Sequence, residues 1–215
     1  MGLGSSRTVE IQISNNTQNI TLKDPRTFFL GGRCSKPPLP ELSPGSRDTC
    51  TFSGDPQLWS MAGTTSVSGI LVYEAESFSL AIYFYNPCDV NQFSMKLGLE
   101  LSPGKTHLGD LRATHLRMAR GTYSSADQDI RFARVFVGES HGTVQVSHGP
   151  VKVTATMSPD TSSALKVVLE EQRGSGDEAK RGKPWDVKRD RSKRNEILQD
   201  LLQDILDSPG SAGTA

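Results

Sequence analysis

The stretch at residues 67–101, VSGILVYEAESFSLAIYFYNPCDVNQFSMKLGLEL, constrains the fold more than any other part of the chain. Three runs rich in Val, Ile, Leu, Tyr and Phe are separated by short polar turns, and each run has the length of a strand rather than a helix. Elsewhere the hydrophobic period is two: Val9, Ile11 and Ile13 alternate with polar residues, as do Val151, Val153 and Ala155, and then Leu165, Val167 and Leu169. One buried face per strand is therefore expected. Turn clusters at Asp24-Pro25, Ser43-Pro44-Gly45, Ser102-Pro103-Gly104, His148-Gly149-Pro150 and Ser158-Pro159-Asp160 cut the chain into many short strands. This is the pattern of an all-β sandwich. One or two short helices fit within it, residues 109–120 being the main candidate.

Charge excludes little by sign but much by balance. Lys plus Arg equals Asp plus Glu at 24 each, so no global field draws the chain to nucleic acid, which is not expected as a partner. The three cysteines, Cys34, Cys50 and Cys88, are widely spaced, without a CxxC or a neighbouring His. Free thiols are expected rather than a disulfide framework or a zinc site. His107, His115, His141 and His148 form no ligand-spaced pair. GxSxG, P-loop and strand-led GxGxxG motifs are missing, so no catalytic residue, metal or cofactor is expected. No apolar run approaches the roughly 20 residues that span a bilayer, and MGLGSSRTVE lacks the apolar region of a secretory signal. Cytoplasmic synthesis is the expectation, which leaves the Asn15-Asn16-Thr17 and Asn19-Ile20-Thr21 glycosylation patterns without consequence.

Composition divides the chain into a tail at residues 1–7, a sandwich at 8–172, a basic linker at 173–194, an amphipathic helix at 195–207 and a tail at 208–215. In the linker basic residues outnumber acidic ones nine to four, with almost no aliphatic side chains. Such a segment cannot bury enough apolar surface to order itself. Its KRDRSKR run resembles a nuclear-import signal or an anionic-surface patch, or it is simply a soluble spacer.

Asn86, Pro87, Asp89 and Asn91, following the strand-like SLAIYF, resemble the (S/N)-P-x-D-x-N pattern of the actinoporins, the sea-anemone pore-forming cytolysins, and of their vertebrate actinoporin-like relatives. The order of the other segments supports the resemblance. TVEIQISNNTQNITL is similar to that family's first hairpin, TFFLGG and PPLPELSPGSRDTCTF to its second strand and long loop, and GPVKVTATMSPDTSSALKVVLEE to its closing strand pair. The resemblance implies an actinoporin-like β-sandwich in a non-enzymatic protein that binds membrane phospholipid headgroups, forms homo-oligomers on membranes, and is secreted or found at a target membrane. It also implies a headgroup site at Tyr85, Asn86, Pro87, Asp89 and Phe93.

In the family a tyrosine-rich helix completes a cage that holds the choline ammonium by cation–π attraction. Here HLRMARG stands in that place and supplies Arg117 and Arg120, which suit phosphate or sulfate better than an ammonium group. Alternatively Arg112, Arg117 and Arg120 form a solvated helix face. Because only residues 1–7 precede the first strand, pore formation by the family's inserting N-terminal helix is not expected. A second reading is an intracellular lectin-like binder, since fungal fruit-body lectins share the sandwich and lack that helix. Met1-Gly2 with Ser6 matches the N-myristoylation pattern, which marks Gly2 as a candidate acylation site and peripheral membrane association as its result.

In NEILQDLLQDILD, residues 195–207, Ile197, Leu198, Leu201, Leu202, Ile205 and Leu206 form one apolar stripe opposite Gln and Asp. At 1.5 Å per residue such a helix is about 20 Å long, too short to span a bilayer. Its polar face has no Lys or Arg, which disfavours an anionic membrane and points to a protein groove; packing back onto the sandwich is the other option. Leu201→Asp with Leu202→Asp is expected to abolish a partner interaction and leave the sandwich's melting temperature unchanged. A melting point several degrees lower would show that the helix packs on its own domain and would overturn the adaptor reading.

Overall fold

The computed structural model describes residues 6–54, 66–104, 110–124, 127–138 and 141–172. They all lie within one compact unit, Met1–Gln172. The expectations for Gly2, the basic linker and the amphipathic stripe lie outside the described residues.

The described residues form an all-β sandwich with one α-helix. The strands are β1 (Thr8–Asn16), β2 (Leu22–Gly31), β3 (Arg33–Lys36), β4 (Glu41–Leu42), β5 (Arg47–Ser53), β6 (Val67–Glu74), β7 (Phe78–Asn86), β8 (Met95–Pro103), β9 (Arg131–Val137), β10 (Gly142–His148), β11 (Val151–Met157) and β12 (Ser162–Glu171), with α1 (Leu111–Arg120) between β8 and β9. One sheet has the order β10-β11-β12-β1-β5-β3 and the other β4-β2-β6-β7-β8-β9. The first sheet closes through a parallel pair, β1 beside β12, with Ile11 opposite Leu165 and Ile13 opposite Val167. The alternating residues of these strands point inward as expected: Val9, Ile11, Ile13, Val153, Leu165, Val167 and Leu169 are all buried. Against them pack Leu71, Tyr73, Leu80, Ile82, Phe84, Leu97 and Leu99 of the second sheet.

Two expectations need correction. The segment resembling a first hairpin is not one, because β1 and β2 lie in different sheets. The turn between them is built on Asn15, whose buried amide donates to Ile20 O at 2.7 Å and Leu42 O at 3.0 Å while its oxygen accepts from Thr17 Oγ1 at 2.6 Å. These bonds satisfy backbone carbonyls at the corner and steer the chain across the core instead of back along it. Burial of a single face also fails for β6, β7 and β8, which are buried on both sides along most of their length. Their outer face carries a second core of Ile70, Val72, Ala81 and Tyr83, sealed by Met118 of α1 and flanked by Phe28 and Phe132. The continuous apolar runs in the sequence reflect this double cover.

At the other corner Asn86, fully buried at the end of β7, ties the sheets together. Its Nδ2 faces Thr8 O at 3.1 Å, Asp160 O at 3.2 Å, Thr161 O at 3.0 Å and Ser163 Oγ at 3.1 Å, so one amide reaches both β1 and the turn into β12. Arg7 adds a second link, donating to Thr161 Oγ1 at 3.1 Å and Cys88 O at 3.2 Å. Asn86→Ala would leave buried carbonyls short of a donor at about 2–3 kcal/mol, which predicts a melting point about 5–10 °C lower for a domain of this size. Thermal unfolding followed by circular dichroism checks it; an unchanged midpoint would remove the clamp from the account.

Candidate functional site

The outer face of the second sheet is organised in cross-strand rows. Tyr85 of β7 stands opposite Lys96 of β8, which stands opposite Phe136 of β9. The next row inward along the strands is Tyr83, Gly98 and Arg134, and the one after is Ala81, Glu100 and Phe132. α1 lies against β2, β6, β7 and β8. The first row borders the β7–β8 loop, since Tyr85 immediately precedes Asn86 and Lys96 follows that loop by a short step.

α1 forms where it does because both ends are capped. The Asp110 side chain accepts from Ala113 N at 3.1 Å, and Gly121, at φ 67°, turns the chain out of the helix, a conformation that glycine adopts without strain. The helix therefore begins slightly later than the sequence pattern suggests. Arg134 reaches over from β9 and donates to the carbonyls of Met118 and Ala119, placing a cation at the negative end of the helix dipole.

Beneath the last turns of α1 sits Glu100, with no exposed surface. It accepts from Arg117 Nη2 at 2.7 Å and Nε at 3.3 Å, from Ser102 Oγ at 3.1 Å, and from the Tyr123 hydroxyl. A buried carboxylate is tolerable only with such partners. Burial works against the Arg117 charge, but the hydrogen bond and attraction of Glu100 outweigh it and hold its pKa above the ordinary arginine value. Burial and the same carboxylate raise the Tyr123 pKa, so its hydroxyl remains a donor.

The sequence-predicted residues divide accordingly. Tyr85, Asp89 and Phe93 are partly exposed in or beside the β7–β8 loop, whereas Asn86 and Pro87 are buried. Asp89 organises the loop: its Oδ1 accepts from Asn91 N at 2.8 Å and its carbonyl from Phe93 N at 3.0 Å, the local turn that Asp favours. Arg117 is not brought to this loop. It is engaged with Glu100, and Glu100 lies four positions along β8 from Lys96, about 13 Å at 3.3 Å per residue. Arg120 is exposed on the last turn of α1.

Lys96, Arg134 and Phe136 stand beside the loop where the helix arginines were expected. The Lys96 ammonium is 5.5 Å from the Tyr85 ring centroid and 5.9 Å from that of Phe136, and the Arg134 guanidinium is 5.2 Å from Phe136. These are cation–π distances. Only cross-strand register reveals this cluster, since its members are far apart in sequence. At the loop's tip Val90 is 50% exposed, one of two large hydrophobic side chains so exposed among the described residues.

Among the described residues no group of His, Cys, Asp and Glu is arranged to hold a metal, and no helix is long and apolar enough to cross a membrane. A groove of about 530 Å³ opens at the opposite end of the sheet, lined by Asn19, Lys23, Asp24, Glu74 and Glu76 among others.

No family model matches the sequence, and no curated protein matches it significantly. Solved structures do match the fold. One is the crystal structure at 1.5 Å of the lipid binding protein Nakanori, at 13% identity and a TM-score of 0.55 over 76% of this chain and 70% of that one. The likeness shows the fold.

The second core contains one titratable group that should govern acid stability. His115 is 1% exposed and lies between the rings of Phe28 and Tyr83 at 5.5 and 5.3 Å, with Nε2 3.0 Å from Ser68 Oγ and no partner for Nδ1. Burial lowers its pKa from 6.5 to about 4. The unfolded chain therefore takes up this proton at a higher pH than the folded one. The stability that the neutral imidazole confers is complete above pH 6.5 and is lost as the pH falls toward 4, by about 3 kcal/mol at most. Urea unfolding at pH 7 and pH 4.5 should show a smaller loss for His115→Gln than for the parent; equal losses would contradict this assignment.

Proposed function

We propose that the protein is a non-enzymatic, peripheral binder of membrane lipid whose headgroup site is the Tyr85–Lys96–Phe136 row at the mouth of the β7–β8 loop. The observation that carries this reading is the convergence of two rings and two cations, Lys96 and Arg134, beside a loop whose tip exposes Val90. The fold it occurs in is shared with a lipid binding protein. Val90 would enter the apolar boundary of the bilayer, and the rings would lie at headgroup depth, where amphipathic aromatics are favoured.

Lys96 decides the class of headgroup. Lys96 is buried and its ammonium already stands against both rings, where a choline ammonium would otherwise lie, so a second cation there is repelled. Arg120 adds exposed charge from α1. Contacts between exposed charges are screened beyond about 8 Å at physiological ionic strength, so binding should weaken with salt.

Flotation with vesicles of phosphatidylcholine, phosphatidylserine or phosphoinositide composition tests this. Anionic vesicles are expected to carry the protein and phosphatidylcholine vesicles are not, with release at high salt. Tyr85→Ala with Phe136→Ala, or Val90→Asp, should weaken recovery at least about tenfold, a loss near 1.4 kcal/mol, and Val90→Asp should do so without changing the melting point. Dye-loaded sphingomyelin vesicles should release little. Equal flotation of the variants would remove the row from the site, and capture on a glycan array with no vesicle bound would replace the reading by the lectin-like one.

A further inference from the structure

The groove at the far end of the second sheet holds about 530 Å³, a volume within the range of small-molecule sites. One wall is the end of the β1–β2 connection with the start of β2, and the other is the β6–β7 turn. It shares no residue with the Tyr85–Lys96–Phe136 row, so what it binds is independent of the lipid reading.

The main chain around the groove is already committed. Ile20 O accepts from Asn15 Nδ2 at 2.7 Å and from Thr17 Oγ1 at 3.1 Å, and Ile20 N donates to Thr17 Oγ1 at 3.3 Å. Asp24 N donates to Pro40 O at 3.1 Å. On the facing wall Ala75 N donates to Phe78 O at 2.8 Å, and Ser77 O accepts from Gly104 N at 2.9 Å. β2 is itself paired on both sides, with β4 and with β6. A peptide therefore finds no strand edge to extend, and recognition falls to the side chains.

Those side chains are mostly acceptors, and their charge is uneven. Lys23 lies 3.7 Å from Glu41, and Arg26 bonds Glu74 at 2.7 Å, so each of these cations is matched by a carboxylate of its own. Asp24 and Glu76 are left over. Both are exposed, and among the described residues neither carboxylate makes a hydrogen bond or ion pair. Asp24 leaves the regular alternation of β2 because the register with β6 slips between Lys23 and Arg26, where Asp24 takes φ 51°. Such a bulge re-aims a side chain. The side chains of Asn19, Thr21 and Ser77 stand in the same lining, likewise uncommitted within the described residues.

The chemistry of the lining narrows the cation. Among the described residues no group of His, Cys, Asp and Glu is arranged to hold a metal. A quaternary ammonium is held by aromatic faces, and Phe78, the ring in the lining, is 3% exposed. A cation that carries N–H groups fits instead, because each ammonium has three hydrogens to donate and a carboxylate with neighbouring hydroxyl or amide oxygens can accept them. Two uncompensated carboxylates suit two ammonium groups on one ligand.

We propose that this groove binds a linear aliphatic polyamine, with one ammonium at Asp24, a second at Glu76 and the methylene chain between them lying across the groove.

The test is titration of the labelled full chain at physiological salt, followed by amide shifts, with linear α,ω-diamines from trimethylenediamine to octamethylenediamine and with hexylamine as the single-charge control. The expected result is saturable binding that shifts residues 19–24 and 74–78, with an optimum chain length and with hexylamine about tenfold weaker, the loss of one charge-assisted contact. Asp24→Asn, which keeps a residue that tolerates the left-handed backbone, and Glu76→Gln should each bring the best diamine down to the affinity of hexylamine, with melting points and vesicle flotation as in the parent. Absence of shifts would overturn the proposal. So would affinity without a length optimum or unchanged by both substitutions, which is the behaviour of a nonspecific counterion. Binding of a lysine-rich peptide with none of the diamines would also overturn it and make the occupant a protein.

Discussion

The outer face of the β6–β7–β8 sheet has to be covered, and most of the structure follows from how that is done. Its rows are too apolar to face water: Ile70, Val72, Ala81 and Tyr83 form a second core. At about 25 cal/mol per Å² of buried apolar area, leaving this surface bare would be costly to a domain with marginal net stability. α1 is the cover, yet its mean composition is polar and its apolar contribution comes mainly from Leu111, Met118 and Ala119. Charge supplies the rest. Glu100, buried with Arg117, Ser102 and the Tyr123 hydroxyl around it, fixes where the helix can lie. A buried ion pair adds little net stability compared with apolar packing, but breaking one is expensive, so it favours one position of the helix over a sliding set.

The consequence reaches the row at the loop. Arg117 is engaged with Glu100 and Arg134 with the end of α1, so the helix and β9 are locked to each other across the sheet. Phe136 and Tyr85 are held on either side of Lys96 by strand register. Asn86 secures the same corner from the other side by joining the end of β7 to β1 and β12. The loop and the row are therefore mounted on fixed supports, which favours recognition by a preorganised surface over recognition by a rearranging one.

How much of this was legible in the sequence depended on the range of the forces involved. Strand identity was legible, because alternation in Val9-Ile11-Ile13 or Leu165-Val167-Leu169 is a local record of which face is buried. The loop at Asn86–Asp89 was legible as a motif, but the tasks of its residues were not. Asn86 has the residue type of a surface contact and the environment of a clamp, and only the approach of β1 and β12 from the far ends of the domain decides between them. The same holds for the parallel pairing of β1 with β12, which no local pattern encodes. The expected arginine site failed to assemble because a helix can be read from its own sequence whereas the carboxylate beneath it cannot. Glu100 shares the alternate positions of β8 with Lys96, Gly98 and Ser102, which in the sequence read as a water-facing row although all four are buried. Lys96 and Phe136 were missed for the same reason, since their proximity is a property of register and not of spacing along the chain.

Register also fixes the relation between the two surfaces. β6 and β7 are antiparallel, with Val67 opposite Asn86 at one end and Tyr73 opposite Leu80 toward the other. The loop that bears Val90 leaves from the first end, and the turn that borders the groove joins the strands at the second. Tyr73 lies six positions along β6 from Val67, roughly 20 Å at 3.3 Å per residue.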